Sequence, residues 1–204
     1  MITLAFDTCL DKTYVTLGQD NKIIKSKIIL SNENNYHSAY LLSTIIDILK
    51  SADITPKDID CIATDIGPGS FTGIRACTTV ARVLAQQLNI KTIGVSSLEI
   101  LSKLFDGDDL VVLDARKNKA YVYDKKIIGA VDLEEIDKIV QDRMVITDNS
   151  LLDRIGAKAR KAVSYQTGDF RLGDILSVIA RDKTPKNWQE LKPLYIQPPP
   201  VFGK

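Results

Sequence analysis

An α/β protein of two lobes, each a mixed sheet flanked by helices and the second reduced, is predicted by three observations. The first thirty residues read as consecutive strands. Near residue 35 the apolar period changes from two to three and four. A short apolar strand then runs through a glycine-rich turn into a long helical pattern, the strand, loop, helix unit of layered folds.

Residues 2–7 and 13–17 carry strand-forming Ile, Val, Thr and Tyr, and Gly18-Gln19-Asp20-Asn21 turns the chain into a third strand over 23–30. Ala39, Leu42, Ile45, Ile46 and Leu49 recur at helical spacing, so 36–51 is expected to form an amphipathic helix, with Pro56 breaking the segment after it. A buried strand over 59–66 leads through Gly67-Pro68-Gly69 into a helix over 71–88, striped by Ile74, Cys77, Ala81, Leu84 and Leu88. A strand over 91–95, a helix over 97–104 capped by Ser96 or Ser97, and a hairpin of 109–114 with 120–124 follow. Beyond Gly129 the pattern weakens to a helix over 133–140, a strand over 144–147, a small basic helix over 151–162 and a helix over 170–181. Four prolines within 193–200 make the tail an extended arm. The segment Phe105-Asp106-Gly107-Asp108 divides a lobe of 1–105 from a smaller lobe of 106–204.

The 204 residues are 45% hydrophobic, enough for a buried core, and 27 basic residues stand against 26 acidic ones. A net charge of +1 gives no global field for a polyanion, which disfavours autonomous tight binding of a nucleic acid. The local clusters Arg116, Lys117, Lys119 and Arg154, Lys158, Arg160, Lys161 read as solvated faces. No stretch approaches the roughly 20 apolar residues of a membrane span, and residues 1–8 lack the pattern of a signal peptide. A cytoplasmic protein is expected. Cys9, Cys61 and Cys77 have no CxxC spacing and read as small buried hydrophobes. His37 is the single histidine, which excludes a two-histidine metal centre within the chain; with no GxSxG elbow, it reads as a helix-end or interface residue. No catalytic or metal-ligating set is expected.

The turn at 67–73 joins a strand to a helix start, where backbone N–H groups and the helix dipole favour an anion. Asp7-Thr8 and Asp114-Ala115-Arg116 end strands. The candidate phosphate or nucleotide set is therefore Asp7, Thr8, Gly67, Gly69, Ser70, Thr72, Gly73, Arg75 and Arg116. The run has no lysine for a polyphosphate and matches neither GxxxxGK[ST] nor GxGxxG. Its glycines equally serve a tight turn, and the carboxylates equally cap turns or pair with Arg75 and Arg116.

Residues 67–75, GPGSFTGIR, resemble the signature of the TsaB (YeaZ) proteins. The opening strand with Asp7-Thr8, His37-Ser38, Ser96-Ser97-Leu98, and Asp114-Ala115-Arg116 with Tyr121 to Tyr123 resemble further family elements in the same order. The likeness covers about residues 1–125; Gln197 stands where the family commonly has arginine. The resemblance implies an actin-like and Hsp70-like ATPase fold, related to ribonuclease H. It also implies a non-catalytic subunit that binds a TsaD-type (Kae1-like) enzyme transferring the threonylcarbamoyl group to tRNA adenosine beside the anticodon. His37, Ala39, Leu42, Ile46, Phe71, Ile74 and Thr78 are the expected interface. A TsaE-type ATPase and tRNA would be met through the complex, and the chain alone would form a homodimer. No cofactor is required by the chain itself, and ATP or ADP with magnesium is expected at the partner interface. The alternatives are a phosphotransferase of the same superfold using Asp7, Asp114 and the glycine turn, or a glycopeptidase-like hydrolase.

Overall fold

The computed structural model describes residues 1–30, 36–105 and 109–197. The chain opens as an antiparallel meander of β1 (Ile2–Asp7), β2 (Thr13–Gln19) and β3 (Lys22–Ile29). A 3-10 turn at His37–Tyr40 precedes α1 (Leu41–Ser51), so the expected helix over 36–51 begins as a tighter coil. Next come β4 (Cys61–Asp65), α2 (Phe71–Leu88), β5 (Lys91–Val95) and α3 (Ser97–Ser102). The later chain forms β6 (Leu110–Arg116), β7 (Lys119–Tyr123), β8 (Ile127–Asp132), α4 (Leu133–Ile139), β9 (Met144–Thr147), α5 (Leu152–Gly156), β10 (Lys161–Ser164) and α6 (Leu172–Arg181).

Two compact units result: Met1–Ser97 with Arg171–Leu194, and Leu98–Phe170 with the residues from Tyr195 onward. The chain crosses between the units at 97–98, 170–171 and 194–195, where the sequence reading sets a single boundary near 105. Residues 171–194 return to the first unit, because α6 packs on its sheet.

The first sheet has the order β3-β2-β1-β4-β5, with β1, β4 and β5 parallel. One face carries Leu4, Phe6, Val15, Leu17 and Ile62, buried under Ile45, Ile48 and Leu49 of α1 and Ile74, Cys77 and Ala81 of α2. Each such large side chain contributes about 1.5–3 kcal/mol on leaving water. The opposite face receives α6 at close range. A Cβ on Gly173 would stand 2.7 Å from Thr16 Oγ1, and one on Gly18 would stand 2.4 Å from Ser177 Oγ.

The second sheet has the order β10-β9-β6-β7-β8. Its core gathers Leu110, Val112, Ala120, Val122 and Val145 with Ile136 and Val140 and with Leu151 and Ile155. Two expectations change here. The strand β8 was not legible, its pattern broken by Gly129 at φ +130°. The helix expected over 151–162 stops at Gly156, and residues 161–164 become a strand parallel to β9.

Candidate functional site at the glycine-rich turn

The turn between β4 and α2 is pressed against the residues that follow β1. Ser70 N–H donates to Cys9 O at 2.7 Å, and Ser97 N–H donates to Gly67 O at 2.9 Å. Ser70 caps α2 by accepting from Gly73 N–H at 3.3 Å. Thr8 Oγ1 donates to Gly73 O at 2.8 Å, and Thr8 N–H points at Cys77 Sγ at 3.1 Å. Two glycines make this approach sterically feasible. A Cβ on Gly73 would lie 1.8 Å from Thr8 O, and one on Gly69 would lie 2.3 Å from Cys9 O. Gly67, at φ +103°, occupies backbone space that other residues rarely adopt.

Beneath the turn lies a pair of carboxyls that sequence reasoning did not bring together. β1 and β4 run in parallel with Phe6 opposite Thr64, so the next step carries Asp7 abreast of Asp65 at the C-terminal ends of both strands. Both side chains are completely buried. Asp7 Oδ1 accepts from Cys9 N–H at 2.6 Å. Asp65 Oδ1 accepts from Gly67 N–H at 2.7 Å and from Ser97 Oγ at 2.8 Å. The two Oδ2 atoms are buried with no hydrogen-bond partner, and each carboxyl perturbs the other. Two carboxylates buried side by side repel when both are ionised, so the pair favours the state that keeps a proton.

Burial first, and then the Asp65 charge, push the Asp7 carboxyl well above the usual carboxylate range. Burial likewise raises Asp65 to about 7, against the Gly67 N–H and the Ser97 hydroxyl, which hold it down. A folded state that keeps protons the unfolded chain has already released loses stability as pH rises. For Asp65 the contribution is complete below its ordinary value of 3.8 and is lost as pH climbs through about 7.

The expected nucleotide set is thus dispersed or sealed. Asp7 and Thr8 are inaccessible, and the space between them and the turn is filled by backbone contacts. These residues do not fit a magnesium nucleotide held on Asp7 and Thr8. Gly67 and Gly73 are buried, Ser70 is half-buried, and Gly69 and Thr72 are exposed. Exposed Arg75 lies over the Phe71 ring, 3.9 Å from its centroid. Arg116 belongs to the second unit, exposed at the tip of the β6–β7 hairpin with φ +61°.

Of the expected partner surface, Ala39, Leu42 and Ile46 are exposed; Leu42 shows 53% and Ile46 51% of its surface. Phe71 is half-buried. Ile74 and Thr78 are removed from any such surface: Ile74 sits in the core at 2% exposure, and Thr78 donates to its carbonyl at 2.8 Å. His37 falls in the 3-10 turn, and its side chain lies outside the described residues.

Asp7, Cys9 and Cys77 bring ligand atoms within 4.8 Å of one another. Their chemistry does not fit a metal centre. Burial pushes the Cys9 thiol well up, and its Sγ donates to Asp65 O at 3.6 Å, whereas a metal requires thiolates. Asp65 and Ser97 were the residues missed. The signal was a carboxylate standing just before a turn in each of two strands, at Phe6-Asp7-Thr8 and Thr64-Asp65-Ile66.

Residues 25–172 match the family model for TsaD, tRNA N6-adenosine threonylcarbamoyltransferase. The tRNA threonylcarbamoyladenosine biosynthesis protein TsaB of Bacillus subtilis is 34% identical over 124 residues, which is 59% of this chain and 53% of that protein. The chain spans about half the length of the curated relatives it matches. A Pseudomonas aeruginosa protein described as similar to peptidase YEAZ superposes with TM-score 0.77 at 22% identity, over 96% of this chain and 99% of that one. YeaZ from Pseudomonas aeruginosa gives 0.74 at 19%, over 95% and 99%. Two mixed sheets flanked by helices are the fold shared with these two structures.

Proposed function

Because the chain belongs to the tRNA N6-adenosine threonylcarbamoyltransferase family, on its TsaB (YeaZ) side, we propose that it serves threonylcarbamoyladenosine formation as a non-catalytic subunit docking on a TsaD-type enzyme. The observation that carries this reading is a contrast between two surfaces. The carboxylates at the ends of β1 and β4 are sealed under the glycine turn, while Leu42 and Ile46 on α1, and Ala39 in the 3-10 turn before it, are exposed to solvent. Leu42 and Ile46, at i and i+4, share one stripe of the helix, the form of a helix-docking surface. A phosphotransferase would need Asp7 within reach of a nucleotide, and that side chain is 0% exposed.

In this reading the chain positions its partner and needs no cofactor of its own; ATP or ADP with magnesium is held where the partner meets it. The TsaE-type ATPase and the tRNA are met through the complex. In the partner's absence the same α1 stripe supports a homodimer. A role in tRNA modification places the chain in the cytoplasm, with the tRNA that the partner acts on; among the described residues no helix is long and apolar enough to cross a membrane.

The test mixes the chain with a TsaD-type protein and follows complex formation by size exclusion, alongside nucleoside mass spectrometry of tRNA after depletion. Co-elution that Leu42→Glu abolishes, together with loss of the modified nucleoside, supports the proposal. Separate elution with unchanged modification overturns it.

A further inference from the structure

Beneath the glycine turn lie two thiols from elements far apart in the chain. Cys9 follows β1 and Cys77 stands on α2, yet the two Sγ atoms and an Asp7 carboxyl oxygen all lie within 4.8 Å of one another. The glycines of the turn bring this about. Ser70 N–H is bonded to Cys9 O at 2.7 Å, and neither Gly69 nor Gly73 carries a side chain that would hold the two backbones apart. Cys61, the third cysteine, is not in this cluster.

The two sulfurs have different surroundings. Thr8 N–H donates to Cys77 Sγ at 3.1 Å, and Thr8 Oγ1, whose own proton goes to Gly73 O, accepts from the Cys77 thiol at 3.1 Å. A donor aimed at the sulfur and an acceptor for its proton favour the nucleophilic form of a thiol. Cys9 is held as the thiol instead: its Sγ donates to Asp65 O at 3.6 Å, and burial pushes its ionisation well up. The pair thus divides into an attacking sulfur and a resolving one. With Cys9 1% and Cys77 0% exposed, a small neutral molecule is what reaches them, as the turn locally opens.

We propose that Cys9 and Cys77 are a site of modification by peroxide, closing as a disulfide that fastens the end of β1 to α2. The Cys77 sulfur attacks one oxygen of hydrogen peroxide. The O–O bond breaks, the thiol proton leaves with the second oxygen as water, and Cys77 becomes a sulfenic acid. The Cys9 sulfur then attacks the sulfenic sulfur. The S–O bond breaks, and the Cys9 proton leaves with the hydroxyl as a second water. Two thiols are oxidised and one peroxide is reduced, with no further reactant, and a thiol reductant reverses the bond. The pair lies apart from the α1 surface, so the proposal does not depend on docking through α1.

The test exposes the reduced chain, freed of reductant, to hydrogen peroxide, then unfolds it in iodoacetamide for mass spectrometry. The expected result is a loss of about 2 Da, the two thiol hydrogens, with a cross-linked peptide joining Cys9 to Cys77 and label on Cys61 alone. Dithiothreitol should restore label to all three cysteines. Oxidised glutathione, too bulky for the sealed site, should leave no adduct on Cys9 or Cys77. In Cys9→Ala the sulfenic acid on Cys77 has no resolving thiol, and unfolding in dimedone should trap it there; Cys61→Ala should close the bond as wild type does. Amide hydrogen exchange over 67–77 should slow by about tenfold or more in the cross-linked protein. Three free thiols after peroxide, or a bond that includes Cys61, overturns the proposal on the wild-type chain alone. Unchanged exchange in the cross-linked protein overturns the fastening of β1 to α2.

Discussion

Replacing Gly73 by alanine tests the contact that closes the glycine turn on β1. The new Cβ would stand 1.8 Å from Thr8 O, 2.7 Å from Thr8 C and 3.1 Å from Cys9 Cα, all of them backbone atoms. No side-chain rotation relieves that clash, so the start of α2 has to move away from the end of β1. Overpacking of this kind costs about 1–3 kcal/mol. Loss of the 2.8 Å bond from Thr8 Oγ1 to Gly73 O adds about 1 kcal/mol, and the better helix propensity of alanine returns about 1 kcal/mol. With backbone rather than side chain as the obstacle, the upper part of the range applies, for a net loss of about 2–3 kcal/mol. At about 2–4 °C per kcal/mol for a chain of this size, Tm falls by about 4–12 °C. Thermal unfolding followed by circular dichroism measures this directly. Gly156→Ala is the internal control, because its Cβ would meet only Ala162 Cβ at 3.9 Å. A Gly73→Ala protein destabilised no more than Gly156→Ala refutes the close-packing account.

The shared proton makes its own predictions. Asp7→Asn supplies an N–H where the proton is held, so the fall in wild-type Tm between about pH 4 and 7 should flatten, and the variant should melt higher than wild type at pH 8. Superimposable Tm against pH curves would exclude the pair as their cause. Ser97→Ala removes a 2.8 Å donor to Asp65 and should cost about 1–2 kcal/mol, read by urea unfolding, with a steeper loss toward high pH. Ile46→Glu, at a side chain 51% exposed, should leave Tm within about 2 °C of wild type while disrupting the docked complex on size exclusion; a large fall in Tm would show that Ile46 serves the core. Arg143→Met breaks a two-pronged pair with Asp124 at 2.8 and 2.9 Å; both groups are about one third exposed, so the cost should be about 1 kcal/mol or less, and smaller in high salt.

The early elements could be read from sequence because they obey local rules. β1, β4, β5 and α2 each pair a clear period with a clear stop, and β9 falls on residues 144–147 as expected. Where reading failed, the deciding interaction was remote. Asp7 and Asp65 each stand before a turn, yet β2, β3 and α1 separate them in the chain, and only the parallel register of β1 on β4 makes them neighbours. Ile74 and Thr78 share a helix face with Cys77 and Ala81, and a periodic stripe shows that a face exists without saying whether a sheet already covers it. The basic stretch after α5 keeps a helical spacing at Ile155, Ala159 and Ala162, but Ala162 instead pairs with Val145 of β9.

The return of α6 to the first sheet has a consequence for how the protein is made. β1 to β5 lie within the first 95 residues, but the helix that seats Gly173 against Tyr14 and Thr16 is encoded after the entire second sheet. As the chain leaves the ribosome, the meander can form while one face of its sheet is still wet, and the second unit can fold while it waits. The first unit is therefore begun first and completed only after the second sheet has been made. A nascent chain stalled before residue 172 would leave the Tyr14 and Thr16 face of that sheet without the helix that covers it.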